Sequence, residues 1–547
     1  MDQTAHDRAP PAADRLAPKA DALDRLTGLG PRGGLQAIIA GLAVSFFALG
    51  YFVVYWRNAD MDFMVIYNAF AMNDGKPQQF FDHPAYLTIL SVKTWFQLLH
   101  GLGLLDAYRL SAIPSATDPA AFDAAMTQAV RAGRLLAWIT ATGFVLIFAA
   151  LMRRIASDWR VALLATFAFA FSGGVAVHLR ILRSEMIAAS FVVFALMLLI
   201  VAGRRATSWR PLVIAAAAAL CMLGLENKVH ALLLIAALPL LALPFGGAES
   251  SSTSFWRRPA GWCAAGALAI AAVLAIWAAA PIVAAGLDLA TIQAAGLKPV
   301  LGRPGAYQTV LLVWIAAAIV AYAVIWRISA AECVATMCAV AAGAAVALLA
   351  LDLSYDIGNV VVVINPLEKM LNYADPATAT ATSGGIFGIV LLLGDGLLQE
   401  LARLTFVLHS SSRPAVFLTW LIIPGIVVAW RRGEHQAALQ ALLFMLMALG
   451  IDTLGIRRGL KVEYFVFTDP LIILAGVVLL ERLPEVRRQR WAYPIGAVLM
   501  ALHIVISHSE PMLYVTKKRG PEGICDWNAS FLPLLPLPWC ANPPPHA

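Results

Sequence analysis

Two aspartates, Asp60 and Asp62, follow the first long apolar segment of the chain, in WRNADMDFMVIYNAF. A carboxylate that close to hydrocarbon costs free energy unless it is paired, solvated or used, and here it is read as used. Far along the chain, Arg457, Arg458 and Lys461 form a cationic group in RRGLKVEYF. The alternation of spans set out below leaves these three on the membrane side that disfavours basic residues, which makes them candidates for holding a phosphate. Arg180, Arg183 and Lys228 fall on the same side and are candidates for the rest of that site.

The frame that positions these residues follows from composition. A chain of 547 residues, 60% hydrophobic and 13% charged, with mean hydropathy +0.75, has more apolar surface than a soluble core can hide. The expectation is an all-α, polytopic integral membrane protein. The net charge of +7 is spread along the chain in short basic clusters, with no basic patch interleaved with aromatics, so nucleic acid is not expected as a partner. The six cysteines form no CxxC or Cys/His group of metal-ligand spacing. No metal and no cofactor are expected.

In chain order, residues 1–34 read as a disordered cytoplasmic tail, with a short amphipathic helix at 20–29 and no cleavable signal. Thirteen apolar runs of spanning character follow: 35–55, 135–152, 161–177, 185–202, 211–225, 229–245, 263–284, 308–325, 332–351, 415–430, 436–451, 464–480 and 492–507. Placing the amino terminus in the cytoplasm puts the double arginines at 153, 204, 257, 431 and 487 there too. The same choice sends the long insertions 56–134 and 352–414, and the tail 509–547, outside. Cys525 and Cys540 lie in that tail, either as a disulfide in an oxidising compartment or as two free thiols. The other four cysteines read as small core residues.

The outer insertions hold the chemistry. In the first, Phe63, Ile66, Tyr67 and Phe70 recur at helical spacing, predicting a helix laid on the membrane surface. A second short amphipathic helix is predicted over 85–99, and Asp118 before Pro119 starts the helix leading into the second span. In the second insertion, LLQELARLTFVL predicts a further surface helix lining a cavity; the alternative is a fourteenth span over 384–408.

Taken together these features resemble the GT-C superfamily of membrane glycosyltransferases, which use a sugar carried on a polyprenyl phosphate. The resemblance rests on an acidic residue after the first span, then Tyr67, Ala69 and Gly75, then His83, Pro84 and Leu87. RILRSEMIAA, GLENKVHALLL and RRGLKVEYFVFTDPLIILAG are similar to later pieces of the same pattern. The chain has HPAYL where the family commonly has HPPL, and Tyr67 stands one residue later than the family spacing. Asp62 and Asp60 therefore both remain candidates for the catalytic carboxylate.

What the resemblance implies is an inverting transfer to a hydroxyl of a glycan, lipid or protein acceptor, at the outer face of a bacterial-type inner membrane. Asp62 or Asp60 takes the acceptor's proton, and the cations hold the leaving phosphate. Arg457, Arg458, Lys461, Tyr464, Arg183, Glu185, Lys228, His83 and Tyr67 are the expected substrate-binding residues, with membrane lipids as surroundings.

Plainer readings stand beside these. Asp60 or Asp62 caps a helix or pairs with Arg57. The 457–461 cations contact lipid headgroups. Glu185 pairs with Arg183 and Lys228 with Glu226, His83 is a turn residue, and Tyr464, Phe465 and Phe467 are interface aromatics. A ligase or polymerase using a lipid-diphosphate donor would instead draw on Arg403, His409 and Arg413, and a lipid or solute transporter is the third class.

Overall fold

The computed structural model describes residues 30–78, 85–204, 210–242, 306–325, 329–354, 393–402, 416–455, 462–483, 492–516, 524–525 and 532–540. It also describes the pair 362–363 and scattered residues between 259 and 299. Apart from a two-residue ladder pairing Lys298–Pro299 with Val362–Val363, the described elements are helical. Six helices are long and apolar enough to cross a membrane: Pro31–Tyr51, Pro119–Ile155, Glu185–Gly203, Arg210–Asn227, Ala330–Leu351 and His435–Thr453. Shorter apolar helices accompany them, as in a multi-pass membrane protein.

Helix α1 (Pro31–Phe46) starts on a proline and ends in a π-helical turn, Phe47–Tyr51. The first insertion folds into α2 (Ala59–Asn73) and α3 (Tyr86–Gly101). Its last part is the first turns of α4 (Pro119–Ile155), where Pro119 fills the first helical position and the Asp118 carboxylate accepts from Ala121 N. Helix α2 corrects the sequence reading. Phe63, Ile66, Tyr67 and Phe70 are buried, but so are Val65, Asn68, Ala69 and Ala71, so the helix is enclosed on all sides and does not lie on a surface.

The apolar run 161–177 is two helices, α5 (Trp159–Ala170) and α6 (Gly173–His178), broken where the Ser172 hydroxyl accepts from Val175 N. The break brings Gly174 against the 3₁₀ turn Val462–Phe467, so close that a Cβ on it would lie 2.5 Å from Val466 N. Then come α7 (Glu185–Arg204), α8 (Arg210–Asn227) and α9 (Ala231–Leu241). Later in the chain are α10 (Ala306–Ile325), α11 (Ala330–Leu353), α12 (Val416–Arg431) and α13 (His435–Gly455). The series ends with α14 (Asp469–Arg482) and α15 (Ala492–Thr516).

Two apolar cores hold the molecule. One gathers α1, α4 to α7, α9, α13 and α14 around Phe46, Phe148, Phe169 and Leu471. The other packs α2 and α3 on the first half of α4 and under the carboxy-terminal segment through Leu532, Leu535 and Leu537. Cys525 and Cys540 are joined as a disulfide, with Cα atoms 5.5 Å apart, and Trp539 rests against Tyr55 and Phe122. Helices α8 and α11 approach backbone to backbone, and a Cβ on Gly343 would meet Ala215 O at 2.0 Å. Such contact between small residues is how helices associate in lipid.

Candidate functional site

Two buried charge systems sit between α2, α3, α4 and the turn linking α6 to α7. In the first, Asp62 is fully buried and Arg134 is 2% exposed. Arg134 donates to Asp62 Oδ2 through Nε at 3.0 Å, and its Nη2 lies 3.0 Å from the same oxygen. It also donates to Val53 O at 2.5 Å and Gly50 O at 3.4 Å, carbonyls freed where α1 ends. Asp62 Oδ1 accepts from Leu182 N at 2.9 Å. One carboxylate therefore ties α2 to α4 and to the turn before α7. The buried cation it meets is Arg134, from a helix far along the chain.

The second system is centred on Glu185, also fully buried at the start of α7. Lys228 Nζ lies 2.8 Å from its Oε1 and Arg183 Nε 3.3 Å from its Oε2, while His178 Nε2 stands 3.8 Å from Oε2. Arg183 Nη2 reaches Glu463 at 3.2 Å. Lys228 lies over the Tyr464 ring at 5.8 Å, and His230 packs against the same ring. Lys228 thus meets Glu185 where adjacency in sequence favoured Glu226. Burial lowers the Arg183 guanidinium, but the carboxylates of Glu185 and Glu463 outweigh it and raise the group above its ordinary value.

Asn227 locks this cluster to the neighbouring helix. Its Oδ1 accepts from Thr88 N at 3.1 Å, its Nδ2 donates to Ser184 O at 2.7 Å, and its carbonyl accepts from Ala85 N. Ala85, in the HPAYL stretch, is held at φ 50°, a left-handed conformation that costs an alanine about 1–2 kcal/mol. A pocket between α3, α4 and the start of α7 is lined by Thr88, Ser91, Thr140, His178 and Arg183 among others, so the cluster meets it through the last two. His178 donates Nδ1–H to Gly174 O and leaves Nε2 without a hydrogen-bond partner.

Of the expected site residues, Arg183, Glu185, Lys228 and Tyr464 come together, and Asp62 sits on the other side of the same turn. Tyr67 is buried in α2, and its hydroxyl accepts from Leu534 N at 3.3 Å. Burial raises that phenol, opposed by the hydrogen bond from Leu534. Asp60 lies in the first turn of α2. The Asp60 side chain, His83, Arg457, Arg458 and Lys461 fall outside the described residues, as do Arg403, His409 and Arg413.

Sequence reasoning missed Arg134, His178, Asn227 and Glu463. The available signal was charge or amide at the ends of apolar runs, in GRLL, VHLR, LENK and KVEY. The chain matches no protein-family profile, no curated protein and no solved structure.

Proposed function

We propose that the protein is a membrane glycosyltransferase of GT-C type, with thirteen spans in a bacterial-type inner membrane, its amino terminus cytoplasmic and its tail periplasmic. It moves a sugar from a polyprenyl-phosphate donor to an acceptor hydroxyl and requires no cofactor. The observation that carries this reading is the convergence of three distant stretches, RILRSEM, LENK and VEY, on one buried cluster of Arg183, Glu185, Lys228, Glu463 and Tyr464. These are pieces on which the resemblance rests, and Arg183 of the cluster lines the pocket.

In the reaction, a carboxylate takes the acceptor's hydroxyl proton as the oxygen bonds to the sugar's anomeric carbon. The bond from that carbon to the phosphate oxygen breaks with inversion, and polyprenyl phosphate leaves with its electron pair. Asp62 has both oxygens committed, to Arg134 and to Leu182 N, which suits a positioning residue. The proton-accepting role then passes to Asp60 on the same helix. Within the cluster two carboxylates balance two cations, so holding a phosphate dianion calls on the extra charge of Arg457, Arg458 and Lys461.

The test is incubation of the purified protein in lipid nanodiscs with a panel of polyprenyl-phosphate sugars and hydroxyl acceptors, following release of polyprenyl phosphate. Acceptor-dependent release from one donor is expected. No release from any donor by folded protein, with solute uptake in proteoliposomes, would replace the reading with a transporter. Release only from diphosphate-linked donors would replace it with a ligase.

A further inference from the structure

Arg180 lies five residues before Glu185, yet its guanidinium turns toward α1 and, through Ser45, toward α15. It is 4% exposed. Nη1 donates to Ala176 O, Nη2 donates to Ser45 Oγ and, at 3.4 Å, to Ser45 O, and Nε has no acceptor. Ser45 Oγ is also 2.6 Å from His508 Nε2, and His508 Nδ1 is 2.9 Å from Ile504 O. A carbonyl needs a proton on Nδ1, so the neutral imidazole accepts the serine's proton at Nε2. Every group in this chain of hydrogen bonds is neutral except the arginine.

The other buried cations differ. Arg134 meets Asp62, and Arg183 and Lys228 meet Glu185. No carboxylate among the described residues pairs with Arg180. A buried charge without a counter-ion is costly in any protein and more so at membrane depth, where it marks a functional site by default. Burial pulls the Arg180 guanidinium down to about 9, which leaves it charged at neutral pH. The surroundings are adapted to it. Gly50 packs against its stem, where a Cβ would lie 2.7 Å from Cγ, and α1 there unwinds into the π turn Phe47–Tyr51. Ser45 stands about 9 Å along the helix axis from Tyr51, the helix end. Beside it Val44 and Phe52 face outward, 70% and 67% exposed.

We propose that the junction of α1, α6 and α15 binds a phosphate group, with Arg180 as its counter-ion, the free Arg180 Nε as donor and Ser45 holding the guanidinium in place. The phosphate is carried by an anionic lipid or is free in solution; both present the charge that the guanidinium fork fits. The proposal does not rest on the transferase reading.

Protein stripped of lipid in detergent is melted with short-chain phosphatidic acid, with phosphatidylcholine of the same chains, and with inorganic phosphate. The acid lipid raises the melting temperature and the zwitterionic one does not. A rise with inorganic phosphate equal to that with the acid lipid assigns the site to free phosphate. Arg180→Met weakens the apparent affinity for the acid lipid about tenfold, the loss of one charge-assisted hydrogen bond. Arg153→Met, at an exposed cation near the end of α4, leaves it unchanged. Where Arg180→Met does not fold, Ser45→Ala carries the test through a weaker response. The proposal is overturned if neither phosphate probe stabilises the wild type, or if the full response survives in the Arg180 and Ser45 variants.

Discussion

At the scale of single residues, Asp62 and Glu185 show how burial changes what a substitution reports. Asp62→Asn leaves Arg134 as an uncompensated buried cation, which destabilises by about 3–5 kcal/mol. Thermal unfolding checks this, and adding Arg134→Met to Asp62→Asn recovers most of the loss, because the lone charge is gone. A wild-type melting temperature in Asp62→Asn alone would mean that the pair contributes nothing. Glu185→Gln is more damaging than Glu463→Gln, since Glu185 bridges Lys228 and Arg183 while Glu463 meets Arg183 from one side. Equal melting temperatures for the two variants would contradict that ranking. The pairings themselves were hidden in the sequence. Lys228 meets Glu185 at the start of α7, a carboxylate from another helix that no sequence neighbour announces. Asp62 and Arg134 are 72 residues apart, and only the packing of α2 on α4 brings them together.

Among the elements, the helices were largely legible, because a 3.6-residue period and bilayer length leave few alternatives for apolar runs of this composition. The helix predicted over 85–99 is α3, Tyr86–Gly101, and Asp118 caps α4 as its position before Pro119 implied. The exceptions have local causes. Ser172 offers a cap in the middle of the run 161–177 and splits it, and α2 is enclosed because α3, α4 and the tail segment surround it. That segment is held by a disulfide across 15 positions, so Cys540→Ser lowers stability by about 2–3 kcal/mol. Hydrogen exchange rises over residues 532–540 and in α2 with it; unchanged exchange would mean that apolar packing alone fixes the tail. Gly343→Leu forces α11 away from α8 at Ala215 and lowers the melting temperature, whereas Gly143→Leu, where a Cβ meets nothing within 4 Å, does not.

For the whole molecule, the all-α class followed from composition, while sidedness is argued from arginine placement and from the oxidising compartment that the Cys525–Cys540 disulfide calls for. Ser115, just ahead of α4, and Arg154, in its last turn, flank this 37-residue helix, which is about 55 Å long. Cysteine at position 115 is expected to label from outside intact cells and cysteine at 154 only after permeabilisation; the reverse pattern would invert the topology. The candidate site was legible as separate stretches, but its assembly, with the run 161–177 broken between α5 and α6 to admit the 462–467 turn and Asn227 bridging two helices, is a property of the packed bundle. The account as a whole is tested most directly by acceptor-dependent release of polyprenyl phosphate from wild type, Asp60→Asn and the Asp62→Asn/Arg134→Met double variant. It predicts release by the wild type, retained in part by the double variant and lost in Asp60→Asn. Wild-type rates in Asp60→Asn, or no release by the wild type from any donor, would contradict it.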